Sequence, residues 1–166
     1  MSSPRRTRLD IIKNLPPLNL QQTKRKIMDL LARRDHSKKE LTTKLKRRTD
    51  PETLEQALIW AADQNWLPSE EKIQEQVIRS LELKNKGQIA INLKLKQMGL
   101  KPTKLDSDVE LKIAINALKF KFESDLFNDL QYKEILKQRG KVLRFLAGKG
   151  FTSETCQKAL KAYFKK

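Results

Sequence analysis

The chain has 166 residues, with 36 Lys and Arg against 20 Asp and Glu, and a formal net charge of +16. That length suits one or two ordinary domains, and 38% hydrophobic content supplies a modest core. No run approaches the ~18 to 20 apolar residues that cross a bilayer. The segment MSSPRRTRLDIIKNLPPL lacks an apolar signal core, so the expectation is a soluble, cytoplasmic protein. A single cysteine, Cys156, excludes an internal disulfide and a multi-cysteine metal site, and a single histidine, His36, leaves little for histidine-based catalysis. The charge is uneven. Residues 1–50 hold 15 basic and 5 acidic side chains, 51–83 hold 2 and 7, and 84–166 hold 19 and 8. Two basic arms around an acidic belt favour a polyanionic partner, nucleic acid or a nucleoprotein, over a merely solvated surface.

Val occurs three times against 25 Leu, and the apolar spacing is helical throughout. Residues 1–20, with Pro4, Pro16 and Pro17 among scattered arginines, read as a flexible basic arm. Gln21 to Arg34 reads as a helix with Ile27, Leu30 and Leu31 on one face, closed by Arg33 and Arg34 at its negative end. Ser37-Lys-Lys-Glu40 has the form of a capping box, and Leu41 and Leu45 make the apolar stripe behind it. Asp50-Pro51 opens the next helix, with Leu54, Leu58, Ala61 and Ala62 on its inner face. Residues 21–67 are thus expected to form a three-helix unit.

The pattern then recurs. Glu70 to about Lys84 reads as a helix through Ile73, Val77, Ile78 and Leu81, and Gly87 to Met98 as another through Ile91 and Leu95. Three further helices fall in VELKIAINALKF, YKEILKQRGKVLRFLAGKG and TSETCQKALKAYF. Leu41 and Leu45 align with Ile91 and Leu95, and these with Val142 and Leu146. Thr49, Gly99 and Gly150 end the three middle helices, and Gly99-Leu100 matches Gly150-Phe151. A period near 50 residues predicts an all-α fold of three tandem three-helix repeats over 21–67, 68–107 and 108–166, the second with its third helix shortened.

The segment LLARRDHSKKELTTKLKRR, Leu30 to Arg48, resembles the RecX regulators of the bacterial RecA recombinase. The shared residues are Arg34, Asp35, His36 and Ser37, followed by Glu40, Leu41, Lys44 and Leu45. LIWAADQNWL and KGQIAINLKLKQMGL continue the likeness, which is good over about 22–100 and looser over 108–164. The chain departs from the family pattern at Leu67 to Glu71, at Ile73, at Asn85 to Gln88 and in the short KPTKLDSD stretch. The resemblance implies an elongated, curved repeat protein that binds the RecA filament on single-stranded DNA. It also implies restraint of RecA's ATP hydrolysis, strand exchange and co-protease activity, a non-enzymatic role in recombination and the SOS response. A monomer without cofactor or metal is expected, and a stand-alone basic nucleic-acid binder is the alternative.

Partner or DNA contacts are expected at Lys39, Lys46, Arg47, Arg48, Lys84, Lys86, Lys94 and Lys96. Lys39, Thr43, Lys46 and Arg47 point away from the Leu41/Leu45 stripe, as partner contacts or as solvated cations. The matching positions Ile89 and Leu93 are apolar, which favours a helix sandwiched between neighbours over an exposed binding patch. His36 is expected to shape the entrance of the Ser37 helix, Cys156 to be a buried small hydrophobe, and Trp60 and Trp66 to pack between helices. Catalysis has no foothold in a carboxylate cluster or a Gly-rich phosphate loop.

Overall fold

A computed structural model describes residues 16–128 and 130–164. Among them are eight α-helices and no strand: α1 Leu20–Leu31, α2 Lys38–Leu45, α3 Pro51–Asp63, α4 Glu70–Leu83, α5 Gln88–Met98, α6 Ser107–Lys119, α7 Tyr132–Lys149 and α8 Ser153–Tyr163. Most of the expected basic arm, residues 1–15, lies outside the described residues. The chain divides into two compact units, Met1–Ile73 and Gln74–Lys166, with the boundary inside α4.

The first unit is built on well-made helix starts. Asn19 caps α1 reciprocally with Gln22, its Oδ1 accepting from the Gln22 N–H at 2.9 Å and its own N–H donating to Gln22 Oε1 at 3.1 Å. Asp50 Oδ1 accepts from the Thr53 N–H at 2.8 Å, and Pro51 takes the first position of α3, where a missing donor costs nothing. Ile27, Leu41, Leu45, Leu54, Ala57, Leu58 and Ala61 close into one core, with Trp60 and Leu67 packed on its edge. Two details differ from the sequence reading. Ala57, not Ala62, completes the buried face of α3: the two flank the Leu54–Leu58–Ala61 stripe on opposite sides, and the core closes on the Ala57 side. Helix α1 also stops at Leu31, three residues early, with the Arg33 and Arg34 amides both donating to the Leu30 carbonyl in a turn.

In the second unit, α6, α7 and α8 enclose Ile113, Ala114, Ala117, Leu118, Val142, Leu146, Phe151, Ala159 and Leu160. Cys156 is buried in the same core, where burial first and Glu110 second push its thiol pKa up. Helices α5 and α7 end alike. Gly99 has φ 77° and Gly150 φ 84°, the left-handed region that glycine enters without penalty. The next residues, Leu100 and Phe151, fold back into the interior and donate their amides to Leu95 and Leu146. Thr49, the aligned residue after α2, is buried but is not among the positive-φ residues. Between α5 and α6 the chain is not helical. Gln88 and Asn92 of α5 hold it instead, through the Thr103 carbonyl at 2.7 Å, the Leu105 N–H and the Thr103 N–H at 2.9 Å.

Candidate partner-binding surface

The turn between α1 and α2 fixes how α2 is presented. Beyond Leu31 the chain reverses, and the Arg34 guanidinium reaches forward to both oxygens of Glu40, at 3.2 and 2.9 Å. It also donates to the Asp35 carbonyl at 2.8 Å. Glu40 is the third residue of α2 and completes the box with Ser37. Its own N–H donates to Ser37 Oγ at 3.2 Å, and the Ser37 N–H donates to Glu40 Oε2 at 3.3 Å. One carboxylate therefore serves a helix cap and a bidentate ion pair at once. Burial opposes ionisation of Glu40. The Arg34 hydrogen bonds, the Ser37 amide and the charges of Arg34 and His36 outweigh it and hold the carboxyl below its ordinary range. The bond to Glu40 likewise raises the Arg34 pKa.

His36 lies beneath this turn, 3% exposed, with Nδ1 2.9 Å from the Arg34 carbonyl oxygen. It braces the entrance of α2, as expected, and no cluster able to hold a metal is present among the described residues. Two ion pairs that the sequence reading missed add to the frame. Lys72 meets Asp35 at 3.3 Å, and Lys38 meets Glu55 at 2.9 Å, tying α2 to α3. Both join residues far apart in sequence, so local spacing carries no sign of them.

With Leu41 and Leu45 held inward, Lys39 and Thr43 stand exposed on the opposite side of α2; the helix ends at Leu45, so Lys46, its C-cap, and Arg47 are exposed in the turn just beyond it. Arg48 is placed differently. It is half-buried, its Nη2 donates to the Pro16 carbonyl at 3.4 Å, and its own carbonyl accepts from the Leu18 N–H at 2.6 Å. It anchors the segment leading into α1.

In the second unit, Lys84, Lys94 and Lys96 are exposed and Lys86 is half-buried. Lys94 and Lys96 are two residues apart on α5 and so face nearly opposite ways. The sandwich expected for α5 does not form, since Ile89 is 56% and Leu93 57% exposed. The stretch 101–106, where a shortened third helix was expected, is non-helical and is bound along the Gln88/Asn92 side of α5.

The tryptophans do pack together, with ring centroids 5.0 Å apart and edge to face, and the Lys24 ammonium sits 4.7 Å from the Trp60 centroid. Trp66 keeps 42% of its surface exposed.

Residues 24–59 match the family model for the first three-helix domain of RecX, a span that contains the Arg34–Glu40 turn and α2 entire. A regulatory protein RecX from Neisseria gonorrhoeae is 34% identical over 140 residues, 81% of this chain and 86% of that protein. This chain belongs to the RecX family. A second RecX relative, from Pseudomonas tolaasii, is 30% identical over 148 residues, covering 85% of this chain and 91% of its own.

Solved RecX structures share the fold. One, a regulatory protein RecX, superposes with a TM-score of 0.67 at 18% identity, covering 86% of this chain and 73% of its own. Another, RecX from Lactobacillus salivarius, gives 0.68 at 13% identity, covering 87% and 96%. The all-helical repeat architecture thus persists where most side chains have changed. The RecX relatives carry the name of regulatory proteins. Among the described residues, no helix is long and apolar enough to cross a membrane.

Proposed function

We propose that this protein binds the RecA recombinase as a filament on single-stranded DNA and restrains it, lowering ATP hydrolysis, strand exchange and co-protease activity. The observation that carries this reading is kinship with regulatory RecX proteins along more than four-fifths of the chain. The role is non-enzymatic. A protein that binds one filament state more tightly than another shifts the equilibrium by that difference alone. Lys39 on the outward face of α2, with Lys46 and Arg47 just past its end, supplies the docking cations, and Lys84, Lys86 and one of the opposed pair Lys94 and Lys96 add contacts in the second unit. Residues 68–107 act as a shortened middle repeat between two complete ones. The protein works as a monomer in the cytoplasm.

The net charge of +16 also fits a protein that simply coats DNA, and one experiment separates the two. RecA ATPase on single-stranded DNA is measured with increasing amounts of this protein at moderate salt. Inhibition at amounts well below the nucleotide concentration supports filament regulation. A fall in hydrolysis only when the protein suffices to cover free DNA rejects it in favour of coating.

A further inference from the structure

The two most exposed large apolar side chains among the described residues are Phe120, at 85%, and Leu83, at 78%. They line one cleft of about 490 Å³ together with Arg79, Glu82, Asn85 and Asn116. Arg79, Glu82 and Leu83 share one face of α4 at i, i+3 and i+4, and Asn116 and Phe120 share one face at the end of α6. Asn85 follows α4 in a left-handed conformation, φ 51°. The core does not need Phe120. Phe122 takes that place, packed on the α6–α7–α8 interior with its ring 5.5 Å from Phe145.

We propose that this cleft binds a base of single-stranded nucleic acid, with Phe120 as its stacking platform. An exposed aromatic ring in a positively charged setting suits any unpaired base, because every base has a π-face. Two asparagine amides offer both donors and acceptors to a base edge, and Arg79 adds a guanidinium. Glu82 repels phosphate, so the base enters the cleft and the backbone stays outside it. Lys119 and Lys121 bracket Phe120, and Lys84 follows Leu83, where they can follow that backbone. Residues 84–166 hold 19 basic side chains against 8 acidic ones, the complement of a polyanion rather than of an average protein surface. Duplex DNA keeps its bases stacked and offers the platform nothing.

The test uses the full chain and a fluorescently labelled oligo-dT, read by anisotropy across a salt series, with an equal-length duplex as comparison. Phe120→Ala, checked for folding by circular dichroism, is expected to weaken single-strand binding about tenfold, leaving the slope against log salt unchanged because no phosphate contact is lost. Phe120→Trp is expected to restore binding, and iododeoxyuridine in the oligonucleotide to cross-link to the peptide carrying Phe120. Unchanged single-strand affinity in Phe120→Ala overturns the proposal, as does an equal loss on duplex. If that variant binds DNA normally but no longer inhibits RecA, the cleft is a protein-docking face and the base site is rejected. The ATPase reading above survives every one of these outcomes.

Discussion

Arg34 and Glu40, six residues apart, form a two-pronged ion pair at 3.2 and 2.9 Å across the turn joining α1 to α2. The same Glu40 carboxylate accepts the Ser37 amide, so losing Glu40 removes both the pair and its half of the helix cap, whereas losing Arg34 removes the pair alone. The side chain of Glu40 is 14% exposed and that of Arg34 51%, so water screens the arginine more than its partner.

Glu40→Ala should therefore cost more than Arg34→Ala. We expect about 1–2 kcal/mol for the former and about 1 kcal/mol or less for the latter, measured by urea unfolding. Arg34→Lys should recover little, because a lysine cannot bridge both oxygens. A double-mutant cycle showing no coupling between positions 34 and 40 would contradict this account.

Acid should weaken the same turn. The Glu40 pKa is lowered in the folded protein, so on acidification the unfolded chain takes up the proton first. The contribution is complete at neutral pH and disappears as pH falls through the folded-state pKa, below the ordinary carboxylate range. Asp50, held down chiefly by the Thr53 amide, adds to the same trend. Stability measured against pH should decline less steeply below that range in Glu40→Gln than in the parent.

The glycines should respond in opposite directions. A Cβ on Gly87 would lie 2.5 Å from both the Gly150 carbonyl oxygen and Phe151 Cα, where the Gly87 N–H donates to Lys149 and the Ile89 N–H to Gly150. A Cβ on Gly150 would lie 2.5 Å from Ala90 Cβ, at a φ of 84°. Gly87→Ala and Gly150→Ala should each cost about 2–4 kcal/mol, since backbone must move. Gly148 lies within α7 with nothing near its missing Cβ, so Gly148→Ala should stabilise by about 0.5–1 kcal/mol. Thermal melts of the three variants check the signs.

Glu110 is 5% exposed and receives the Gln88 N–H at 2.9 Å and the Thr155 hydroxyl at 2.7 Å, with the Thr152 amide and hydroxyl at 3.4 and 3.3 Å. It joins the first turns of α5 and α8, where helix dipoles favour a negative charge. Glu110→Leu leaves those donors buried without an acceptor and should cost about 2–4 kcal/mol, with Glu110→Gln milder because one oxygen remains. Hydrogen exchange at the Gln88 amide should quicken in the leucine variant; unchanged protection there would argue against this strut.

Reversing charge at Lys39, Lys46 and Arg47 tests the α2 face. All three are exposed, so the triple glutamate variant should fold normally. We expect about tenfold more protein to be needed for the same inhibition of RecA ATPase, with the largest effect at low salt. Undiminished inhibition by the folded variant would remove this face from the docking surface.

The helices and their starts were readable because their causes are local. Ser37 with Glu40, and Asp50 with Pro51, act across one turn, and a stripe such as Leu41–Leu45 is written in its own spacing. The end of α1 was less readable, since Arg33 and Arg34 suit a helix terminus until Arg34 is drawn away by Glu40 in the next helix. Of the eight candidate cations, Arg48 turned inward to Pro16 for a similar reason. Its neighbour Arg47 has the same chemistry and stays exposed, so composition alone could not separate them. Phe120 went unnoticed because it ends an apolar stripe, and its neighbours decide only in three dimensions that Phe122 fills the core.

By itself the sequence determined the all-helical architecture, the two basic arms and the kinship to RecX, because helical periodicity, net charge and a motif such as Arg34 to Leu45 are properties of residue order. Tertiary structure alone decided which polar groups meet. Lys72 with Asp35, Lys38 with Glu55, and Glu110 with Gln88 and Thr155 depend on segments brought together by burying leucines elsewhere. It likewise decided that Ile89 and Leu93 stay in water, because exposure belongs to what packs nearby, not to the side chain itself.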